Sequence, residues 1–168
     1  MRTYLKKSRA EYEDAVLAGS TRVGDLFADT YNADVGLTPD TPSARYATVL
    51  MDRVLVRIAH VAASHGVPVL FIFIPAATDV CTGPQWSGWA RAVAAYPGYR
   101  RDGLTTVLSR MAERSGFEYL DLFRPFETAG ASSLYFSKDQ HWNPAGQELA
   151  AELAKNHIIT RGLVGRPP

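Results

Sequence analysis

The chain has 168 residues, 46% hydrophobic and 21% charged, with a formal net charge of +1. That is the size of one domain with a single core, and the near-neutral balance gives no electrostatic case for a nucleic-acid or anionic-membrane partner. No run approaches the roughly 18 apolar residues of a membrane span, and the single cysteine, Cys81, excludes an internal disulfide and a cysteine-based zinc cluster.

Met1 to Lys7 lead into acidic sequence, so no apolar signal segment is expected there; localisation stays open. Residues 3–18 read as an amphipathic, mostly polar helix containing Lys6, Lys7, Arg9, Glu11, Glu13 and Asp14. Residues 19–41 are turn-rich, with Gly19, Gly24, Gly36 and Pro39. From Ser43 to about Ser64, Ala47, Leu50, Met51, Val54, Leu55, Ile58 and Ala62 recur at helical spacing and fall on one stripe. Gly66 then supplies a left-handed cap. Val67 to Ile74 is an unbroken apolar run, as expected of a strand covered on both faces in a parallel sheet. Pro75 stops it. A loop and short helix fill 76–101. Leu104, Val107, Leu108 and Met111 mark a helix closed by Gly116, and Phe117 to Phe123 reads as a second buried strand. Strand, crossover helix and strand make one parallel βαβ unit. The closing helix spans about 144–156, with Asn143 as N-cap and Pro144 in the first position.

Ligand chemistry in such sheets sits beyond the carboxyl ends of the strands. The loop after Pro75 and the loop after Asp121 both lie there. Trp86 and Trp89 either line an acyl or sugar pocket or staple their short helix to the core. Their i, i+3 spacing favours the staple. Asp79 and Asp121 read as loop caps, and Cys81 as a passive loop thiol. His60, His65 and His157 sit near helix ends, where the helix dipole favours a cation. No spacing suggests a metal site, and no cofactor is expected.

The richest segment is Leu134-Tyr135-Phe136-Ser137-Lys138-Asp139-Gln140-His141-Trp142-Asn143-Pro144-Ala145-Gly146. An acid and an imidazole stand two residues apart, just before a capped helix. His141 is thereby held on a short loop with Asp139 beside it, the arrangement of a positioned general base. The segment resembles the last sequence block of the SGNH (GDSL-like) hydrolases. Its Asp-x-His-Trp form is most similar to the branch related to alginate O-acetyltransferases; the commoner family spacing is Asp-x-x-His. The resemblance covers Leu134–Leu153, and the order of elements extends it back to about Leu37.

That resemblance implies an α/β fold, a three-layer α/β/α arrangement with a parallel, flavodoxin-like sheet. It also implies acyl transfer through a Ser-His-Asp triad. His141 would be the base and Asp139 its orienting acid. Trp142 in the motif, and Trp86 and Trp89 from the loop after Pro75, are the candidate substrate contacts. The activity would be that of an ester hydrolase or O-acyltransferase on a small-molecule or carbohydrate ester. The family's N-terminal Gly-Asp-Ser block is not recognisable. Only Ala18-Gly19-Ser20-Thr21-Arg22-Val23-Gly24 has the Ser-to-Gly offset, and a polar helix precedes it instead of a buried strand. Ser20 is therefore a weak nucleophile candidate. Tyr31-Asn32-Ala33-Asp34 is a poor stand-in for the family's Gly-x-Asn-Asp block, so Asn32 reads as a loop residue.

The expectation is a single α/β domain over 1–168, with 1–41 as lead-in and 42–158 as core. It would be the C-terminal part of a larger hydrolase domain with an incomplete sheet, carrying the Asp-His half of the triad. The other reading is a non-catalytic α/β remnant that binds a carbohydrate or protein partner. With two strands evident, an exposed sheet edge predicts self-association.

Overall fold

The computed structural model describes residues 33–87, 96–136 and 141–163. The expected helix over 3–18 lies outside the described residues, as do Ser20, Asn32, Trp89 and Asp139. The described chain opens on α1 (Ala33–Leu37), followed by α2 (Pro42–Ser64) and β1 (Leu70–Phe73). Next come α3 (Ala77–Val80), a 3₁₀ turn at Pro84–Trp86, α4 (Gly103–Ser115) and β2 (Glu118–Asp121). Then α5 (Phe123–Thr128), a 3₁₀ turn at Ala131–Ser133 and α6 (Pro144–Arg161) complete it. β1 and β2 pair in parallel, with Leu70 opposite Glu118 and Phe73 opposite Asp121. Among the described residues the protein is thus mixed α/β, with a small parallel two-stranded sheet.

Local chemistry sets the ends of the helices. Thr41 caps α2 by accepting from Ala44 N, with Pro42 in the first turn. Gly66 and Gly116, at φ 67° and 69°, take the left-handed turn that ends α2 and α4. α6 runs to Arg161, beyond the expected end near 156, because no residue breaks it before Gly162. His157 is more than a dipole partner. Its Nε2 lies 2.7 Å from Glu118 Oε1, and Arg161 Nε is 3.2 Å from the same oxygen, so α6 is tied to the start of β2.

Three expectations need correction. Residues 33–37, inside the stretch read as turn-rich, form a helix with Val35 and Leu37 buried. The second strand ends at Asp121, not Phe123. There Asp121 Oδ1 accepts the Phe123 amide at 2.8 Å, which turns the chain into α5. Leu122 and Phe123 are buried as expected, but as the mouth of a helix.

The third correction concerns β1, which is shorter than Val67–Ile74 and closed on one side only. Phe71 packs against Phe117 with centroids 4.7 Å apart, and Phe73 stacks on Tyr119 at 5.6 Å. The alternate residues Ile72 and Ile74 are exposed. The apolar stripe of α2 divides similarly. Leu55 is buried, whereas Leu50, Met51, Val54 and Ile58 are exposed; Ala44, outside the stripe, is buried as well. α2 packs on α1 and α4, which cover one sector of a helix that is apolar over more than one.

The main buried cluster involves the segments after β1 and β2 and the start of α6. Leu122, Phe123 and Phe126 form its centre with Ala77, Val80, Trp86, Leu134, Tyr135 and Ala150. Trp142, Leu149 and Leu153 pack against it. Among the described residues no helix is long and apolar enough to cross a membrane.

The exposed apolar side of α2 and the outer strand edges, unpaired among the described residues, generate a prediction. The purified chain should self-associate in size-exclusion chromatography with light scattering. Replacing Leu50 and Val54 together by Glu should shift it toward monomer. A clean monomer in both forms would show that these surfaces do not recruit a second copy.

Candidate functional site

Between the 3₁₀ turn at 131–133 and α6, the chain doubles back on itself. Tyr135 and Trp142 form an isolated antiparallel bridge. Phe136 N donates to His141 O at 2.8 Å, and Asn143 N donates to Leu134 O at 2.8 Å. These two bonds hold the backbone at the His141 carbonyl and at the Asn143 amide. Asn143 acts with both ends of its amide. Its Oδ1 accepts from Gly146 N at 3.1 Å, capping α6, and its Nδ2 donates to Ser133 O at 2.8 Å. Gly146 is buried against this turn, where a Cβ would collide with Leu134 O and lie 3.0 Å from Trp142 Cβ. The Asn-Pro-Ala-Gly string therefore serves packing as well as capping.

The hairpin is carried to the carboxyl edge of the sheet. The Tyr135 hydroxyl donates to Pro75 O at 2.6 Å, two residues past the end of β1. Phe126, fully buried in α5, lies beneath both limbs, with its ring centroid 6.0 Å from Tyr135 and 6.4 Å from Trp142. Three chain segments thus meet at this edge: the one after β1, the one after β2, and the one that bears His141.

A polar cluster that no sequence pattern announced borders them. The Tyr99 hydroxyl donates to Asp79 Oδ1 at 2.8 Å. Arg101 donates from Nε to Asp79 O at 2.8 Å and from Nη2 to Val80 O at 2.7 Å. Its Nη1 meets Glu127 Oε1 at 3.2 Å, and Arg124 holds the other Glu127 oxygen at 2.6 Å. Burial pushes the Asp79 carboxyl up from 3.8 to about 6, against the Tyr99 bond and the Arg101 charge, which both pull it down. Asp79 is therefore not the expected loop cap; α3 has no side-chain cap at all. Asp121 does act as one, at the β2–α5 turn.

Cys81 is buried, and desolvation pushes its thiol up to about 11, the state of an unreactive sulfur. Ser132 closes the loop beside it, donating to Thr82 O at 2.6 Å while accepting from Thr82 N at 3.1 Å.

Of the residues singled out from sequence, His141 is exposed on its pinned backbone. Trp142 is half-buried against the core. Trp86 is a buried core member whose indole N–H has no hydrogen-bond partner among the described residues. His60 lines a cavity of about 420 Å³ with Val56, Val67, Val69, Phe117 and Glu118. That cavity is at the amino edge of the sheet, the end opposite His141. Among the described residues no cluster of His, Cys, Asp and Glu is arranged to hold a metal ion. Compared with protein-family models, curated proteins and solved structures, the chain finds no significant match.

Two predictions follow from this geometry. Helix propensity alone favours Gly146→Ala by about 1 kcal/mol. Contact with Leu134 should reverse the sign, giving a net loss of roughly 1–3 kcal/mol in urea unfolding. The second concerns Asp79. A carboxyl raised in the native state keeps its proton where the unfolded chain has lost it. Its favourable contribution is complete below the unfolded value of 3.8 and declines as pH rises through about 6. Asp79→Asn should remove that decline. Between about pH 4 and pH 7, the stability difference should move in the variant's favour by on the order of 2 kcal/mol.

Proposed function

We propose that this chain carries the base half of an SGNH-type acyl-transfer site, within a three-layer α/β/α fold of which β1 and β2 are two strands. His141 takes a proton from the attacking hydroxyl and returns it to the leaving alcohol. Asp139 orients the imidazole and stabilises its charged form. The substrate is a small-molecule or carbohydrate ester. With water as acceptor the reaction is hydrolysis, and with a sugar hydroxyl it is O-acyl transfer. Trp142, beside His141 and partly accessible, is the aromatic best situated to meet substrate. Trp86 belongs to the core. The nucleophile is unassigned, and Ser20 is the candidate within this sequence.

The observation that carries this reading is the hairpin. The backbone is fixed by hydrogen bonds around an exposed His141, at the mouth of an Asn-capped helix and joined by Tyr135 to the carboxyl end of β1. A histidine on a hydrogen-bonded backbone near that edge supports the reading, because general-base chemistry in a parallel α/β sheet calls for an imidazole there.

Hydrolysis of a short-chain aryl ester tests it. The chain should turn the ester over slowly, and His141→Ala should lower the rate by about 10²- to 10⁴-fold. Asp139→Asn should also lower it. A large further loss in Ser20→Ala would assign the nucleophile. Turnover indifferent to His141, or none above buffer, would favour the non-catalytic, partner-binding reading.

A further inference from the structure

We infer that Tyr135 is a positioning residue, which seats the His141 hairpin on the carboxyl end of β1. The inference rests on the acyl-transfer reading for its functional meaning and on independent geometry for its structural part.

Tyr135 is joined to three different things. Its ring is 6% exposed and meets Phe126 edge-on at an interplanar angle of 68°. Its backbone faces Trp142 across the antiparallel bridge, next to the Phe136 to His141 hydrogen bond. Its hydroxyl reaches 60 positions back along the chain to Pro75 O, at 2.6 Å.

A buried phenol needs a partner, and so does a buried carbonyl beyond the last ladder bond of a strand. This one bond satisfies both. Phe in place of Tyr would fill the same space and leave Pro75 O without a partner among the described residues. Burial, with Cys81 and Asp79 close by, pushes the hydroxyl above its usual range, so it remains a donor at working pH. The core requires a large ring at this position; only the hairpin's placement requires the oxygen. Through that oxygen the loop bearing His141 is referenced to the end of β1, where the reacting groups of a parallel α/β sheet gather.

The test uses the full chain and Tyr135→Phe, which retains the ring. Two readouts are compared: amide hydrogen exchange, and kcat against KM on the aryl ester. Loss of the hydroxyl should speed exchange at Phe136 and Asn143 by at least about tenfold, with Ala150 and Leu153 in α6 unchanged. It should lower kcat by about 10- to 100-fold with KM held, the signature of a displaced base.

Unchanged exchange at Phe136 and Asn143 would overturn the proposal. So would acceleration spread equally through α6, because that marks general loss of stability. An unchanged kcat in the variant, against measurable wild-type turnover, would overturn the positioning role. If the wild type turns over no ester, the acyl-transfer reading falls, and the exchange data still decide whether Tyr135 anchors the hairpin. In the wild-type protein a slowly exchanging Tyr135 hydroxyl proton is expected by NMR. Its absence counts against the bond without any variant having to fold.

Discussion

The Leu134 carbonyl and the first turn of α6 are in direct contact, and the geometry around His141 depends on that approach. The Asn143 amide donates to this carbonyl, and Gly146 leaves the space a side chain would fill. One residue earlier, Ser133 O receives the Asn143 side chain. A single asparagine thus bonds forward into the helix and backward onto the turn before it, while its own backbone closes the hairpin. Widening the contact would displace the helix, then Trp142, then His141. Capping residues are usually judged by the orphan N–H groups they satisfy. Here the cap also sets the distance between two segments.

On the far side of the same edge, an arginine does comparable work. α3 has four residues, so its terminal carbonyls have no successors within the helix to bond. Arg101 supplies donors to two of them, from 22 and 21 positions away, and still meets Glu127 in α5. The planar guanidinium suits this because its N–H groups point in fixed, divergent directions. The segment after β1 is therefore held from two directions, by Arg101 at its helix end and by Tyr135 at Pro75. Desolvation of Asp79 is the accompanying cost.

Features written in local chemistry were legible in the sequence. Asn143 and Pro144 announced the start of α6, and Gly66 and Gly116 announced two helix ends, because each acts within one turn of the chain. The parallel pair was legible as two strand-like segments flanking a helix. Periodicity could not say which sector of α2 is covered, since Leu50, Val54 and Ile58 are as apolar as the buried Leu55. Reading Phe117–Phe123 as one strand hid the turn at Asp121, whose effect depends on one side-chain bond. Tyr135 to Pro75 and Tyr99 to Asp79 join residues 60 and 20 positions apart, and no spacing rule encodes such pairs.

α6 has 18 residues, which makes it about 27 Å long. It is fastened near both ends. Its first turn is locked to Leu134 at the carboxyl edge of the sheet, and its last turns are held at the amino edge, where Glu118 takes both His157 and Arg161. A rod secured this way behaves as a strut between opposite rims of the sheet. Shortening the chain from its C-terminal side would therefore act in stages. Loss of Arg161 removes one of two contacts to Glu118, and loss of His157 frees the far rim. The near rim, held by Asn143 and Gly146, remains until the helix itself is too short to persist.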